Sequence, residues 1–222
     1  TFGGKSYTAT VDASGNWTAT VPSADLGSMK DGDASVQVSV TNVNGNSASA
    51  GREYSVDATA PTVSIEIVSD NNIINAAEAQ QDLVVNGVTN AEAGQTVTVT
   101  LGGKSYTAQV QQGGLWSVNV PGTDLSALAD NGYTLQVSVS DAAGNPASAG
   151  KAITLDTTPP TVSFNAVAGD NVINAEEVAA GQTISGNVAN AEAGNTVTVT
   201  IGGNTYTATV QSDLTWSVSV PE

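Results

Sequence analysis

The chain has 222 residues, and 21 acidic residues against five basic ones leave a formal charge of −16. That balance speaks against nucleic acid as a partner, whose phosphates need Lys and Arg, and it suits a surface that binds cations. There is no Cys and no His, which removes thiol nucleophiles, disulfides, imidazole acid–base catalysis and zinc or haem ligation together.

From the N-terminus, the chain opens on TFGGKSYTAT, which returns as TLGGKSYTAQ from Thr100 and as TIGGNTYTAT from Thr200. Trp17, Trp116 and Trp216 each begin an alternating run that ends in Val-Pro, and they stand 99 and 100 residues apart. One module has been copied, and each copy is large enough to bury a core of its own, unlike repeats of roughly 20 to 50 residues that depend on their neighbours. The expected domains are 1–57, the later part of one copy; 58–156, a complete copy; and 157–222, the earlier part of another. Residues 1–57 lack the first two strands and most of the third, while 157–222 lack the last two. The sequence therefore reads as a window on a longer tandem array.

Within the complete copy, apolar residues alternate with Thr, Ser and Gln at the period of a half-buried strand. The pattern predicts seven strands: Thr62–Val68, Leu83–Thr89, Thr96–Leu101, Ser105–Val110, Trp116–Val120, Thr134–Ser140 and Ala152–Leu155. Gly102-Gly103 between two such runs signals a two-residue hairpin, since glycine takes positive φ without steric cost. Val97, Val99 and Leu101, then Tyr106, Ala108 and Val110, then Trp116, Val118 and Val120 are each expected to face one side. Leu135, Val137 and Val139 are expected to supply the opposite inner face of a two-sheet sandwich. Leu125 and Leu128, in the segment 124–130, are expected to plug one end of the core. No long helix and no stretch of the roughly 20 apolar residues that a membrane span needs is predicted.

The linker Val56-Asp57-Ala58-Thr59-Ala60-Pro61, the stretch Asp70-Asn71-Asn72-Ile73-Ile74-Asn75-Ala76-Ala77-Glu78 and the turn Asp141-Ala142-Ala143-Gly144-Asn145 together carry a family likeness. The sequence resembles the bacterial immunoglobulin-like repeats of giant secreted adhesins and biofilm-associated surface proteins of Gram-negative bacteria. The resemblance implies tandem Ig-like β-sandwiches of about seven strands each, arranged as an extended rod. It also implies export to the cell surface, stiffening by calcium between domains, and an adhesive tip elsewhere in the chain. Asn42 stands where the complete copy has Asp141, so a site built there would be weaker or absent in the first copy.

The acidic residues themselves gather in the loops. The strand order places Asp70, Asn72, Asn75, Glu78 and Asp156 at one pole of the complete copy, and Asp57, Glu92, Asp141 and Asn145 at the other. The third copy repeats the first group with Asp170 and Glu177, and repeats Glu92 as Glu192. Each junction then brings carboxylates from two domains together. Calcium takes six to eight oxygen ligands from carboxylates, amides and backbone carbonyls and tolerates irregular geometry. The candidate Ca2+ ligands are thus Asp57, Asp70, Asn72, Glu78, Glu92, Asp141, Asp156, Asp170, Glu177 and Glu192. Turn formation is the alternative for the same residues, because Asp and Asn cap nearby backbone N–H groups. Pro61 and Pro159-Pro160 restrict φ and stiffen the linkers in either case.

Enzyme activity is not expected, since no pair of carboxylates is singled out for the acid–base hydrolysis that Asp and Glu alone can run. Lys104 is expected to be a solvated edge charge that discourages strand pairing between molecules. The alternative to a spacer is a ligand-binding module for glycan, ice or homophilic contact, suggested by the threonine ladders 96–100 and 196–200, although Thr suits the exposed face of any strand. The burial of Trp116 and Tyr106 discriminates between the two. The expected partners are neighbouring repeats of the same chain, with a host-cell or biofilm surface ligand or homophilic contacts beyond them, and no membrane insertion. The two partial copies also raise a head-to-tail exchange of strands between chains.

Overall fold

The computed structural model describes residues 1–221. The first segment forms α1 (Ser23–Leu26), β1 (Gly32–Thr41) and β2 (Ser47–Val56). The second begins with β3 (Val63–Ile65), α2 (Ser69–Asn72), β4 (Ile73–Ile74), a 3-10 turn at Glu78–Gln80, β5 (Leu83–Thr89) and β6 (Thr96–Leu101). It continues with β7 (Lys104–Gln109), β8 (Leu115–Val120), α3 (Gly122–Leu125), β9 (Asn131–Ser140) and β10 (Pro146–Leu155). The third has β11 (Thr161–Phe164), a 3-10 turn at Val167–Gly169, α4 (Ala175–Ala180), β12 (Gln182–Ala189), β13 (Thr196–Ile201), β14 (Asn204–Thr209) and β15 (Thr215–Val220). The chain divides into two compact bodies: Thr1–Val68, Val84–Val120 and Tyr133–Ile153 in one, and Ser69–Leu83, Pro121–Gly132 and Thr154 onward in the other.

In the complete copy, the two sheets of an Ig-like sandwich are clear from their ladders. Strand order is β4-β10-β9-β6-β7 in one sheet and β3-β5-β8 in the other. Period-two alternation buries Val97, Val99 and Leu101 on β6, Trp116, Val118 and Val120 on β8, and Leu135, Val137 and Val139 on β9. The sheet assignment of β9 corrects the expectation. It pairs with β6 through Thr98↔Ser138, Val99↔Val137 and Thr100↔Gln136, so those three apolar residues lie beside the β6 run, and β8 supplies the facing sheet. Alternation dictates which side of a strand is buried but not which sheet the strand joins.

Gly87 shows how closely the strands approach: a Cβ there would lie 1.9 Å from Ser64 O and 2.6 Å from Trp116 Cζ2. Only glycine lets β3 and the indole share that space. In the second body, Gly186 repeats the arrangement, with Ser163 O at 1.8 Å and Trp216 Cζ2 at 3.0 Å. There β11, β12 and β15 form one sheet and β13 pairs with β14. Trp216 is buried with Ile184, Val188, Val199, Ala208 and Val210, and Phe164 meets its edge at 5.5 Å and 83°.

Three further differences from the expected elements have local causes. The first strand of the complete copy stops at Ile65 instead of Val68, and the chain then passes through Ser69, Asp70 and Asn72 at φ 49°, 54° and 64°. These left-handed residues swing it across to the other sheet, where β4 pairs in parallel with β10 at Thr154↔Ile73 and Leu155↔Ile74. β10 starts at Pro146, six residues before the expected strand, and lies beside β9 in the sheet. In the first segment, residues 6–21 form no strand; their ladder partners in the complete copy are β5 and β6, of which the first segment holds only Thr1 and Phe2, the counterparts of Thr100 and Leu101.

Candidate functional site: the acidic poles and the linker clasps

The linkers are held by side chains that local reading of the sequence did not single out. Asp31, immediately before β1, accepts from Ala58 N at 2.8 Å and from the Thr59 hydroxyl. Asp130, immediately before β9, accepts from Thr157 N at 2.8 Å, Thr157 Oγ1 at 2.7 Å and Thr158 Oγ1 at 2.5 Å. Asp57 and Asp156 each turn the linker locally, accepting at 3.3 Å from Thr59 N and Thr158 N respectively. The same clasp thus occurs twice, 99 residues apart. Hydroxyl donation from Thr59 and Thr158 is the main cause that holds the Asp31 and Asp130 carboxyls below the ordinary 3.8, with the linker N–H groups adding to it. The negative charge of Asp141 opposes the effect at Asp31, which places carboxylates from either side of the first linker within electrostatic reach. The signal that could have found this pair is the repeat itself, since both aspartates occupy one position of the module.

At the leading pole of the complete copy, the expected group does come together. The Asn145 amide nitrogen donates to Asp57 O at 3.2 Å, Asp57 Oδ1 at 3.4 Å and Asp141 Oδ2 at 2.9 Å. Glu92 Oε2 accepts from Ala142 N at 2.9 Å. Asp141 is 8 % exposed; burial pushes its carboxyl up, but the N–H groups of Asn145, Gly144 and Ala143 outweigh that and hold it below 3.8. Turn chemistry alone does not require this charge. Asn42 closes the equivalent turn between β1 and β2 with a neutral side chain, its Oδ1 accepting from Asn44 N and Asn46 N at 3.0 Å each.

The remaining candidates are placed differently. Glu78 caps backbone: its Oε2 accepts from Asn75 N at 2.9 Å, and that bond holds its carboxyl below 4.5. Glu177 does the same for Asn174 N at 2.9 Å, in a reciprocal capping box at the start of α4. Asp170 accepts from Val172 N at 2.9 Å, and Asp70 and Asn72 supply left-handed backbone. Glu192 is exposed. Asp156 is drawn to the trailing pole by its own backbone, Asp156 N donating to Ile74 O at 3.0 Å. Among the described residues, no group of three or more acidic side chains stands close enough to hold a metal ion unaided. An ion at the leading pole would need amide and backbone oxygens as well, and those are present: three oxygens of Asp57 and Asp141 already converge on one partially positive amide nitrogen. That donor set fits a hard cation such as calcium.

On the threonine-bearing hairpin of the complete copy, Tyr106 is half-buried, and Trp116 on β8 is buried. Lys5, the counterpart of Lys104, is not solvated alone but bridges Asp25 at 2.5 Å. Asp25 also accepts from the Tyr7 hydroxyl at 2.7 Å, and this bond is the main cause that pushes the phenol up to about 12. Lys104, Tyr106 and Asp124 repeat the three residue types at the same spacing.

The family model of the bacterial Ig-like domain matches residues 57–157. The chain is 37% identical to a Ca2+-stabilized adhesin that helps an Antarctic bacterium reach out and bind ice, over 99% of this chain and 55% of that one, with a TM-score of 0.45. It is 34% identical to a 1.5-MDa bacterial ice-binding adhesin, over 99% of this chain and 73% of that one, with a TM-score of 0.47. It is 36% identical to a bacterial immunoglobulin-like domain from the M. primoryensis ice-binding adhesin, over 46% of this chain and 100% of that one, with a TM-score of 0.36. No curated protein matches. The chain belongs to the bacterial Ig-like domain family, and the segments on either side of the matched residues repeat their sequence. It spans 55% of the length of the first of these relatives. No helix among the described residues is long and apolar enough to cross a membrane.

Proposed function

We propose that this chain is a stalk segment of a bacterial cell-surface adhesin, with Ig-like modules at 1–57, 58–156 and 157–222 joined by calcium-stiffened linkers. The observation that carries the reading is the leading pole, where Asp57 from the linker and Asp141 from the β9–β10 turn share one amide donor and Glu92 anchors the same turn. Asp57, Glu92 and Asp141, with the Asp57 carbonyl and the Asn145 amide, would hold the ion. Asp156 and Glu192 would serve the next junction. Bound calcium supplies positive charge that offsets the repulsion between linker and loop carboxylates. The chain's own residues do the rest: Asp31 and Asp130 tie the linker backbone to the preceding module, and Pro61, Pro159 and Pro160 limit its rotation. The role is mechanical and not enzymatic, at the extracellular surface, with neighbouring repeats as the primary partners and any surface ligand or homophilic contact beyond them. The Ca2+-stabilized adhesin among the relatives supports the choice of ion.

Asp141→Asn tests this reading, because Asn42 shows that an amide closes the same turn. In excess chelator the variant is expected to melt within about 4 °C of the parent, as for a surface substitution that keeps its fold. Calcium affinity, followed by titration calorimetry, is expected to fall at least about tenfold. Equal calcium binding by both proteins would overturn the assignment of the ion to this pole.

A further inference from the structure

An asparagine side chain cyclises most readily onto the backbone when glycine follows it, because glycine has no Cβ to shield the attacking nitrogen. The chain has three such pairs, Asn44-Gly45, Asn86-Gly87 and Asn131-Gly132, and the fold treats them differently. Asn86 lies inside β5, its carbonyl accepting from Glu66 N at 2.9 Å and its amide donating to Glu66 Oε2 at 2.9 Å. Gly87 is buried and packed against Ser64 O and Trp116, so ring closure there has to turn its nitrogen out of a closed sheet. Gly45 N is held in its own turn, donating to Asn42 O at 3.0 Å.

Asn131-Gly132 is held by neither restraint. Both residues are exposed, at the start of β9. Gly132 N donates to Oδ1 of Asn131 itself at 2.8 Å, so the nucleophilic nitrogen already lies against the side chain it would attack. With a C=O bond of about 1.23 Å, Cγ is at most about 4 Å away, near the roughly 3–3.5 Å of a reactive arrangement. Rotation of one exposed side chain closes the difference. The pair directly follows Asp130, whose carboxylate clasps Thr157 and Thr158 of the linker.

We propose that Asn131 is a self-modification site: it closes on Gly132 N, loses ammonia and reopens chiefly as isoaspartate, which loosens the Asp130 clasp. Gly132 N gives its proton to solvent and forms a bond to Cγ, the Cγ–Nδ2 bond breaks, and Nδ2 leaves as ammonia. Water then opens the cyclic imide. Attack at Cγ gives aspartate, whereas attack at the former backbone carbonyl gives isoaspartate, in which the chain runs through Cβ and Cγ. Solvent water is the only other reactant. Isoaspartate lengthens the backbone between Asp130 and the rest of β9 by one carbon, about 1.5 Å. Asp130 Oδ1 is 2.8 Å from Thr157 N and 2.7 Å from Thr157 Oγ1, and a displacement of that size takes both beyond hydrogen-bonding distance.

The test uses the 222-residue chain, aged in mildly alkaline buffer and mapped by peptide mass spectrometry for replacement of NH by O. In urea the three pairs are expected to react at rates within about threefold of one another, since the fold no longer distinguishes them. In the folded chain, Asn131 is expected to stay within about threefold of its unfolded rate while Asn86 slows at least about tenfold. Gly132 takes no positive φ, and a Cβ there meets nothing within 4 Å. Gly132→Ala therefore keeps the fold and is expected to slow the reaction at Asn131 at least about tenfold. The two products are then separated by chromatography and compared by amide exchange. The isoaspartate form is expected to exchange Thr157 N about fivefold faster than the unaged chain, and the aspartate form to stay within about twofold of it. Reaction at Asn131 no faster than at Asn86 in the folded chain, or equal protection of Thr157 in the isoaspartate form and the unaged chain, would each overturn the proposal.

Discussion

Replacing Gly87 with alanine tests the packing that defines the module. The added Cβ would meet Ser64 O at 1.9 Å, Trp116 Cζ2 at 2.6 Å and Ser64 C at 2.9 Å, where ordinary contact begins at 3.4 Å. The backbone of β3 must then retreat by about 1.5 Å, since the indole behind it is fully enclosed. β3 has only three residues, paired as Val63↔Thr89, Ser64↔Val88 and Ile65↔Gly87, so a shift of that size opens most of its ladder. Overpacking costs about 1–3 kcal/mol, and two lost ladder bonds add about 1 kcal/mol each, giving a loss of roughly 3–5 kcal/mol. For a module of this size, that corresponds to a melting point lower by about 12 °C or more. Calorimetry on the whole chain measures it, and Gly132→Ala serves as the control, because a Cβ there meets nothing within 4 Å. The control is expected to stay within about 0.5 kcal/mol. A Gly87→Ala transition within about 2 °C of the parent would refute the argument that β3 and Trp116 exclude a side chain at this position.

Acid should release the linker clasps. The Asp31 and Asp130 carboxyls are held below their ordinary 3.8, so their contribution is fully present above that value and is lost as pH falls through the lowered ones. Amide exchange is expected to show Ala58 and Thr157 losing protection below pH 3.8 while the ladder amides of β6 keep theirs; equal protection down to pH 2 would contradict it. Asn174→Ala removes the side chain that accepts from Glu176 N and Glu177 N at 3.0 and 3.1 Å. A lost N-cap of about 1 kcal/mol should speed exchange at those two amides about fivefold, and unchanged exchange would mean that the cap contributes nothing.

Much of the sandwich was legible because its strands alternate so regularly. β5 and β6 fall on the expected residues 83–89 and 96–101, and on β6 Thr and Val take turns facing out and in. The grouping of Asp57, Glu92, Asp141 and Asn145 at one pole also followed from strand order alone. The sheet to which β9 belongs did not follow, since the buried side of Leu135, Val137 and Val139 is the same in either assignment. The break after Ile65 depends on three non-glycine residues at positive φ, a conformation that tertiary pairing of β4 with β10 stabilises and that local propensity disfavours. Asp31 and Asp130 escaped for a related reason. Their partners lie 27 and 28 residues further on, so nothing beside them in sequence marks them as linker anchors. Conversely, Glu78 and Glu177 looked like pole ligands but sit three residues after Asn75 and Asn174, the spacing of a capping box.

Small-angle X-ray scattering of the chain, titrated with calcium and then with excess chelator at a dilution where the mass is monomeric, tests the stalk reading most directly. The account predicts that calcium raises the maximum dimension and sharpens the rod profile, that chelator reverses both, and that Asp57→Asn/Asp141→Asn blunts the response. A profile identical in calcium and chelator would contradict it, leaving the carboxylates of the leading pole as turn and linker groups alone.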